Sequence, residues 1–424
     1  MDDSIEDHLA LTRRSFLARS ALTLFSVGVV PGLLRRTALT DRAPFSAKRK
    51  VLITVFLRGA ADGLNIVVPY AERDYYPLRP TIAVPRPGSH GQAAIDLDGF
   101  FALHPSLAPL KPLYDARELA IVHAVGSPDT TRSHFDAQDF METATPGSKA
   151  TPDGWLNRYL QRALRPDATP FRAVAIAPRM PRTFEGAAPA LAIDDLASFR
   201  LAGGGSRGRP FEQGLYARRH DPVFASVVRD SFSLIHTLDR AGPGAPPRAA
   251  GGGYPDGPLG KSLSQAACLV RADVGLEVAF VEVGGWDHHV NEGGVDGQLA
   301  RSLAELGTAL AAFRHDLGAR MRDVLLVTIS EFGRTAHENG NRGTDHGRAG
   351  VMLVLGGEVR GGKVYGDWPG LRAERLFEGR DLALTTDFRT VLAEIVSRHL
   401  GFRDPATIFP GFRASPSEFR GFLS

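Results

Sequence analysis

The segment KVLITVFL, residues 50–57, runs directly into RGAADGLN, residues 58–65. The first part is continuously apolar and rich in β-branched residues, which is typical of a strand buried on both faces of a parallel sheet. The second part is a turn of small residues that carries one acid, Asp62. Because α/β folds assemble their sites at the ends of parallel strands, this stretch predicts both a fold class and the position of a site.

Similar apolar segments recur along the chain, and helical patterns lie between them. Apolar residues spaced three or four apart predict helices over 299–317 and 388–399. Strands alternating with helices predict an α/β fold with a central, mostly parallel sheet that is covered on both faces. The further strands are predicted at 119–125, 171–177, 276–283, 324–329 and 351–355.

The N-terminus has the pattern of an export signal. Arg13 and Arg14 precede an apolar stretch, 21–34, that contains Pro31. Paired arginines ahead of a short apolar segment are typical of a twin-arginine signal, and a basic amphipathic helix or a short membrane anchor is the alternative. We therefore predict a signal and linker over 1–45, recognition by the twin-arginine translocation machinery, and a periplasmic or extracellular protein with no transmembrane helix beyond the signal region.

Residues 46–424 are predicted to form one large domain. Segments 202–210 and 241–260 are rich in Gly, Pro and Ala and predict loops, whereas 211–239 has a helical pattern. We interpret about 145–260 as a partly helical insertion over the sheet.

The bulk composition excludes several kinds of site. The single cysteine, Cys268, excludes an internal disulfide and a cysteine-rich zinc site, and its apolar helical surroundings predict a buried small side chain. A formal charge of +3 is small for 424 residues, and the arginines are interspersed with acids. Nucleic-acid binding would need a concentrated basic face, so no nucleic-acid partner is predicted.

The densest group of potential metal ligands follows the strand predicted at 276–283. Glu282, Asp287, His288 and His289 lie within eight residues of one another. Loop histidines are often merely solvated and glycines nearby often only form turns, but this density favours a divalent metal. Carboxylates and imidazoles suit zinc, manganese or iron, and the sequence does not fix how many ions bind.

Further candidates flank two other predicted strands. Glu331 follows 324–329, where an ion pair or an acid at a helix N-terminus is the alternative. Asp345 and His346 precede 351–355, and Asp345 could bind a metal or orient a ligand. Since parallel strands end at one edge of a sheet, we predict that six side chains converge around one cavity: Asp62, Glu282, Asp287, His289, Glu331 and His346.

Candidate nucleophiles lie in the loop after 119–125. Thr130, Thr131 and Ser133 stand beside Arg132 in the sequence. A hydroxyl activated by a metal or base can attack a phosphorus or sulfur centre, and Arg132 or Arg334 could stabilise the anionic oxygens. Helix capping by Ser133 or Thr131 is the alternative, and it is compatible with catalysis.

As a set, these motifs resemble an exported family called domain of unknown function 1501, from about Lys50 to the C-terminus. That family looks like a branch of the alkaline-phosphatase and sulfatase superfamily. The resemblance implies an alkaline-phosphatase-like three-layer sandwich and an exported, metal-dependent hydrolase that acts on a small phosphate or sulfate ester. The alternative is a non-catalytic exported protein that keeps the fold and binds a metal or a cell-envelope glycan. The matching segments are FLRGAADGL (56–64), RSHF (132–135), GGWDHH (284–289), SEFGRT (330–335) and TDHG (344–347).

The resemblance also implies roles for individual residues. Asp62 matches the first metal-binding acid, and Glu282 with Asp287 matches a Glu-x4-Asp spacing. His346 matches the last histidine ligand. A Ser or Thr after the second strand would be the nucleophile, and Thr130 stands four residues before the next histidine, as in the mutase members.

The chain departs from the superfamily pattern at two places. His288 or His289 replaces a ligand that usually lies where this chain has Asn291. An Asp-His pair expected after 324–329 is replaced by Glu331-Phe332. Because phenylalanine cannot bind a metal, the resemblance implies that one of two metal sites is weakened or absent.

Overall fold

A computed structural model of the chain describes residues 49–196, 253–413 and 415–424. The predicted signal, the predicted loop 202–210 and the predicted helix 211–239 lie outside these ranges.

A nine-stranded sheet forms the centre of the described structure, and a small three-stranded sheet lies beside it. The central sheet has the strand order β11-β5-β10-β9-β1-β8-β6-β7, and β12 also pairs with β5. The small sheet has the order β2-β4-β3. The strands are β1 (Val51–Leu57), β2 (Val67–Val68), β3 (Ile95–Asp96), β4 (Ala102–Leu103), β5 (Leu119–Gly126), β6 (Ala173–Ile176), β7 (Leu191–Ala192), β8 (Val278–Val283), β9 (Val324–Ile329), β10 (Gly350–Gly356), β11 (Lys363–Tyr365) and β12 (Thr386–Asp387).

Helices connect these strands. The last of them, α8, continues into a π-helical turn over Ile395–His399. The helices are α1 (Gly63–Ile66), α2 (Tyr75–Leu78), α3 (Lys111–Asp115), α4 (His134–Thr143), α5 (Trp155–Arg162), α6 (Pro258–Arg271), α7 (Gln298–Leu317) and α8 (Phe388–Glu394).

Within the central sheet, β10 is the one strand that runs against the others. It pairs antiparallel with both β5 and β9, whereas β1 pairs parallel with β8 and β9. Phe56 near the end of β1 is in register with Glu282 of β8 and Ile329 of β9. The parallel strands therefore end at a common edge, and the reversed β10 begins there.

The sheet is buried on both faces because its strands alternate between two cores. Ile53 and Val55 of β1 belong to a core that includes residues of α6 and α7. Leu52 and Phe56 belong to a second core, with residues of α5 and α8. Each fully buried side chain of this size contributes about 1.5–3 kcal/mol, which explains the continuous apolar pattern of the strand.

The structure confirms the predicted mixed α/β fold with a mostly parallel sheet. Two local predictions need correction. The loop predicted to reach residue 260 ends earlier, because Pro258 occupies the first turn of α6. Residues 170–172 form a 3-10 turn before β6, so the predicted strand 171–177 is shorter than expected.

Part of the predicted insertion is described. Residues 145–196 contribute α5 to one face of the sheet and strands β6 and β7 to the sheet itself. The division of the chain into a signal and a single domain stays a prediction. Cys268 is buried in α6, as predicted. None of the described helices combines the length and hydrophobicity needed to cross a bilayer.

Candidate metal centre

Loops from three strands meet at the edge where the parallel strands end. His134 follows β5 and is the first residue of α4. Asp287 and His289 follow β8, and His346 precedes β10. The direction of β10 explains how a residue that precedes its strand reaches the edge formed by the ends of the others.

Three of these side chains have ligand atoms that all lie within 4.8 Å of one another: His134, Asp287 and His346. The His346 Nε2 lies 3.3 Å from one Asp287 oxygen, and the His134 Nε2 lies 3.5 Å from the other. The His289 Nε2 lies 3.0 Å from Asp287 Oδ1 and 2.9 Å from the His346 Nε2. We call these four residues the histidine–aspartate centre. Within the described ranges, His134, Asp287 and His346 are the only group of three potential metal ligands that lie this close together.

The Nδ1 atom of His134 is held by a buried carboxylate. Glu331 Oε1 lies 2.8 Å from this nitrogen and also accepts hydrogen bonds from the Gly59 amide and the Gln138 side chain. Burial would raise the pKa of Glu331, but these hydrogen bonds lower it, so the group is anionic. Glu331 therefore orients His134 and leaves its Nε2 facing Asp287.

The other two imidazoles are held in the same way. His289 Nδ1 lies 3.1 Å from Asp345 Oδ1, and His346 Nδ1 lies 2.8 Å from the Arg132 carbonyl oxygen. In metal sites, a partner on one ring nitrogen fixes the tautomer and orientation so that the other nitrogen can bind the ion. All three Nε2 atoms are thus directed toward the same carboxylate.

Two observations test whether a cation fits there. The Nε2 atoms of His289 and His346 are 2.9 Å apart, which requires either a shared proton or a cation between two lone pairs. The His134 Nε2 is buried and has no hydrogen-bond partner in the described structure. Since buried polar groups are usually satisfied, a cation bound by these nitrogens and Asp287 would account for both.

The pKa shifts of Asp287 and His346 favour metal binding at the centre, whereas that of His134 opposes it. Burial raises the pKa of Asp287, but the hydrogen bond and charge of Arg334 outweigh it and lower the pKa overall. Burial lowers the pKa of His346, which keeps the ring neutral, as a ligand must be. The hydrogen bond to Glu331 raises the pKa of His134, so protons compete with a metal at that ring.

Arg334 is a buried connector at the centre. Its Nε donates to the Ala60 carbonyl at 2.7 Å, its Nη1 to Thr344 O at 2.9 Å, and its Nη2 to Gly59 O at 2.6 Å and to Asp287. The side chain has no exposed surface. Its hydrogen bonds therefore join the loops and position Asp287, rather than reaching outward as the predicted oxyanion contact.

Gly59 is required by the close approach of two of these loops. Its φ of +120° is unfavourable for residues with a side chain, and an added Cβ would lie 2.6 Å from the Asp287 amide nitrogen. The Trp286 amide donates to the Arg58 carbonyl at 3.3 Å, which brings the two segments together. The small-residue turn after β1 thus supports the backbone that carries Asp287.

Asp62 lies apart from the centre, in a buried charge network. It forms a two-pronged ion pair with Arg79, which also bonds Asn65. Burial would raise the pKa of Asp62, but Arg79 lowers it. Glu292 lies beside this pair, and burial together with the charge of Asp62 raises its pKa well above the usual value. One of the Glu292 oxygens accepts a hydrogen bond from the Thr344 hydroxyl at 2.7 Å.

Two more predicted ligands have other partners. Glu282 accepts a hydrogen bond from Arg58 at 2.6 Å, and Arg58 also binds Glu142 at 2.8 Å. His288 is buried, and burial lowers its pKa to about 4. Its carbonyl accepts from the Thr344 amide at 3.1 Å, so it joins two loops. Of the predicted metal ligands, the structure brings Asp287, His289 and His346 together and places Glu331 and Asp345 behind the imidazoles.

The candidate nucleophiles lie in the loop before α4. Ser133 is the residue before the helix, but its side chain makes no capping hydrogen bond. The Thr131 hydroxyl accepts from the Ser133 amide at 3.2 Å, and Thr130 is exposed. The Arg132 guanidinium donates to two carboxylates, Glu378 at 2.7 Å and Asp381 at 2.9 Å.

His134 is the potential ligand that the sequence prediction missed. It lies beside the candidate nucleophiles, in the loop region that follows the predicted strand 119–125, and an imidazole in that position was the available signal. Phe332 packs against two of the imidazoles. Its ring centroid lies 5.1 Å from that of His134 and 4.9 Å from that of His346. Phe332 cannot bind a metal, but its ring packs against the imidazoles of His134 and His346 and supports them.

Comparisons with known proteins give structural similarities, a family and one negative result. The C-terminal periplasmic domain of EcEptC from Escherichia coli, solved in complex with Zn, is 10% identical over 74% of this chain and 75% of that chain. Its TM-score of 0.32 is too low to support an argument about the site. A search of curated proteins finds no match. The model of a family described as "Protein of unknown function (DUF1501)" matches residues 49–408, and this chain belongs to that family.

Proposed function

We propose that this protein is an exported, metal-dependent hydrolase of phosphate or sulfate esters, with an alkaline-phosphatase-like arrangement of sheet and site. The observation that carries the proposal is the convergence of three imidazole Nε2 atoms on Asp287, two of them 2.9 Å apart. Zinc, manganese and iron suit this set of nitrogen and oxygen ligands. A divalent cation would polarise the ester and favour ionisation of a nucleophile.

Different residues would bind the cation and attack the ester. His134, Asp287, His289 and His346 would hold the cation. Ser133 is the first candidate for the nucleophile, because it directly precedes His134 and its hydroxyl is not used for capping. Thr131 and Thr130 remain alternatives, and a small anionic ester would have Arg132 as its nearest cationic side chain in that loop.

The proposal is tested on the full-length protein isolated without chelators. We expect stoichiometric metal by mass spectrometry and turnover of at least one substrate in a screen of phosphatase, sulfatase and phosphodiesterase esters. The double variant Asp287→Asn with His289→Ala should lose both metal and turnover. His90→Ala, which changes an exposed histidine far along the chain from the centre, is the matched control and should lose neither.

Ser133→Ala separates the two roles. It should abolish turnover while metal content stays near that of the unmodified protein, because a nucleophile is not a ligand. Loss of metal in Ser133→Ala would instead assign that residue to the binding of the ion. Protein that holds no metal and cleaves no ester would overturn the hydrolase proposal.

A non-catalytic exported protein that binds a metal or an envelope glycan is the second candidate. The observation that favours it is Phe332, which stands where the superfamily has a ligand and leaves a single centre within the described ranges. Stoichiometric metal without turnover of any screened ester would select this candidate.

Export by the twin-arginine route is proposed for both candidates. It rests on Arg13 and Arg14, which lie outside the described residues. Changing both to Lys should keep the protein in the cytoplasmic fraction, and unchanged export would contradict the proposed route.

A further inference from the structure

A chain of hydrogen bonds continues from His134 beyond the carboxylate that holds its ring. Glu331 Oε1, which lies 2.8 Å from His134 Nδ1, accepts a hydrogen bond from the Gln138 side-chain nitrogen at 2.9 Å. The Gln138 side-chain oxygen in turn accepts from Arg58 Nη1 at 2.9 Å. Gln138 therefore joins the residue that orients a potential metal ligand to a guanidinium on the loop after β1.

Arg58 is itself held by three contacts. Its Nε donates to Glu282 at 2.6 Å and its Nη2 to Glu142 at 2.8 Å, and its guanidinium carbon lies 4.4 Å from the centroid of the Phe56 ring. Glu142 is buried, and its second oxygen accepts from a backbone amide at 2.9 Å. These contacts fix the direction of Arg58 Nη1, which points to the Gln138 amide.

The Gln138 amide can face only one way in this chain. A guanidinium has donors and no acceptor, so its partner must be the amide oxygen. The amide nitrogen is then left to face Glu331, to which it can only donate. Glu331 Oε1 also accepts from the Gly59 amide at 2.8 Å. A carboxylate held as an acceptor in this way favours a proton on Nδ1 of His134 and a lone pair on its Nε2.

Helix α4 places His134 and Gln138 on one face. The two residues are four apart in the helix, so their side chains are neighbours on its surface. Ala137 of the same helix packs against Ala60 and Phe332, which holds α4 against the loops that follow β1 and β9. The helix therefore positions the potential ligand and the amide behind its partner together.

We propose that Gln138 and Arg58 are positioning residues of the metal centre. Arg58 fixes the Gln138 amide, and that amide holds the Glu331 carboxylate. The carboxylate selects the tautomer of His134 whose Nε2 can bind a cation. This inference rests on the proposed function, because it concerns the same metal centre, and it adds two residues that are not ligands.

Gln138→Leu tests the link between Gln138 and Glu331, because it removes both hydrogen bonds of the amide without changing the charge. The affinity of the full-length protein for cobalt(II), followed by the visible absorption of the bound ion, should fall by roughly tenfold. Gln161→Leu is the matched control. This half-buried glutamine of α5 donates to Asn157 at 2.8 Å and to Asp153 at 3.1 Å, and its loss should leave the cobalt affinity unchanged.

A second measurement separates positioning from a general loosening of the fold. At a pH where the His134 ring is neutral, its nitrogen-15 chemical shifts in the metal-free protein report which nitrogen carries the proton. We expect the proton on Nδ1 in the unmodified protein and in Gln161→Leu, and a mixture of tautomers in Gln138→Leu. Either an unchanged tautomer or an unchanged cobalt affinity in Gln138→Leu would overturn the proposal.

The double variant Arg58→Met with Glu142→Leu tests the link between Arg58 and Gln138. It removes one positive and one negative charge from a largely buried ion pair, which apolar residues of similar volume often replace without loss of stability. It should weaken cobalt binding about as much as Gln138→Leu, and adding Gln138→Leu to it should weaken binding no further. An unchanged affinity in the double variant, or additive losses in the combined one, would overturn the role of Arg58.

The unmodified protein distinguishes failure of this inference from failure of the proposed function. If it binds neither cobalt nor zinc, the metal centre is overturned, and the positioning roles with it. If it binds cobalt as tightly as Gln138→Leu does, the centre stands and the positioning roles are overturned.

Discussion

Two sets of histidines in the described structure differ in what their Nε2 nitrogen contacts. In the buried set, which lies away from the centre, each Nε2 is within hydrogen-bonding distance of a backbone carbonyl: His104 at 2.8 Å from Gly294, His123 at 3.0 Å from Val67 and His399 at 3.0 Å from Val51. In the histidine–aspartate centre the partners are on Nδ1, and Nε2 is directed toward Asp287. In the buried set, the Nδ1 atoms of His104 and His123 also accept hydrogen bonds from backbone amides. The comparison shows that an imidazole whose Nε2 is bonded to the backbone supports the fold, whereas one whose Nε2 has no backbone partner can bind an ion.

The two sets also differ in protonation. Burial lowers the pKa of His123 and of His399 to about 4, so both are neutral supports at neutral pH. His134 is only partly buried, and its hydrogen bond to Glu331 raises its pKa. Protonation of a ring in the buried set destabilises the folded protein, whereas protonation of His134 is favoured by its hydrogen bond to Glu331.

The largest effect should come from removing one ring of each set. His346→Ala should weaken metal binding by about 100-fold or more, because a ligand contributes more than the residues that orient it. His123→Ala should leave metal binding nearly unchanged but lower the free energy of unfolding by about 2–4 kcal/mol, since it leaves a cavity and an unpaired carbonyl. Metal titration and denaturant unfolding of the metal-free proteins measure the two effects. Equal loss of metal binding in both variants would end the distinction between the sets.

An intermediate effect is expected from Glu331→Gln, which keeps the shape of the side chain and removes its charge. His134 would lose its anionic partner on Nδ1, and metal affinity should fall by about 10–100-fold while the fold is retained. The raised pKa of His134 should also fall toward its ordinary value, which nuclear magnetic resonance of the ring protons can follow. An unchanged His134 pKa together with unchanged metal affinity would show that Glu331 does not orient the ring.

The smallest effect is a pH dependence of stability. For His123 and His399, the folded pKa of about 4 lies below the unfolded value, so the unfolded chain binds more protons between them. The stabilisation is complete above the unfolded pKa of about 6.5 and falls with decreasing pH by up to about 1.4 kcal/mol per unit for each ring. For His134 the sign is opposite, because its raised folded pKa adds stability that is lost as pH rises through that pKa.

Urea unfolding of the metal-free protein between pH 7.5 and 5 measures these slopes. His123→Gln should show a shallower loss of stability in acid than the unmodified protein, because one of the buried rings no longer titrates. Parallel curves for the two proteins would mean that His123 is not held neutral by burial.

The main strands could be predicted from the sequence because they are buried on both faces. Continuous apolar runs such as 324–329 have no other common explanation, and β9 occupies those six residues. Their parallel order also placed Asp287, which follows β8, at the edge where the strands end. His346 precedes its strand and reaches the same edge only because β10 runs antiparallel to its neighbours, a reversal that the sequence pattern did not indicate.

The rest of the site depends on partners that lie elsewhere in the chain. Asp62 was a reasonable ligand until Arg79, in a separate loop, was seen to neutralise it. His134 was given no role in the sequence analysis, and its orientation depends on Glu331, which lies far along the chain. Such pairings are tertiary, so neither residue type nor spacing in a single sequence specifies them.

The assembly of the centre has a consequence for how the chain folds and is loaded. Its residues run from His134 to His346 and come together through the ends of β5 and β8 and the start of β10. Bringing such distant segments together is slow, because the entropy cost of loop closure comes before the stabilising contacts form. An unfolded chain cannot gather these side chains, so an ion would bind only the native state and stabilise it by about 2.7 kcal/mol at a hundredfold excess over its dissociation constant. Loading with metal would thus follow folding, and the bound ion would in turn slow the return to the unfolded chain.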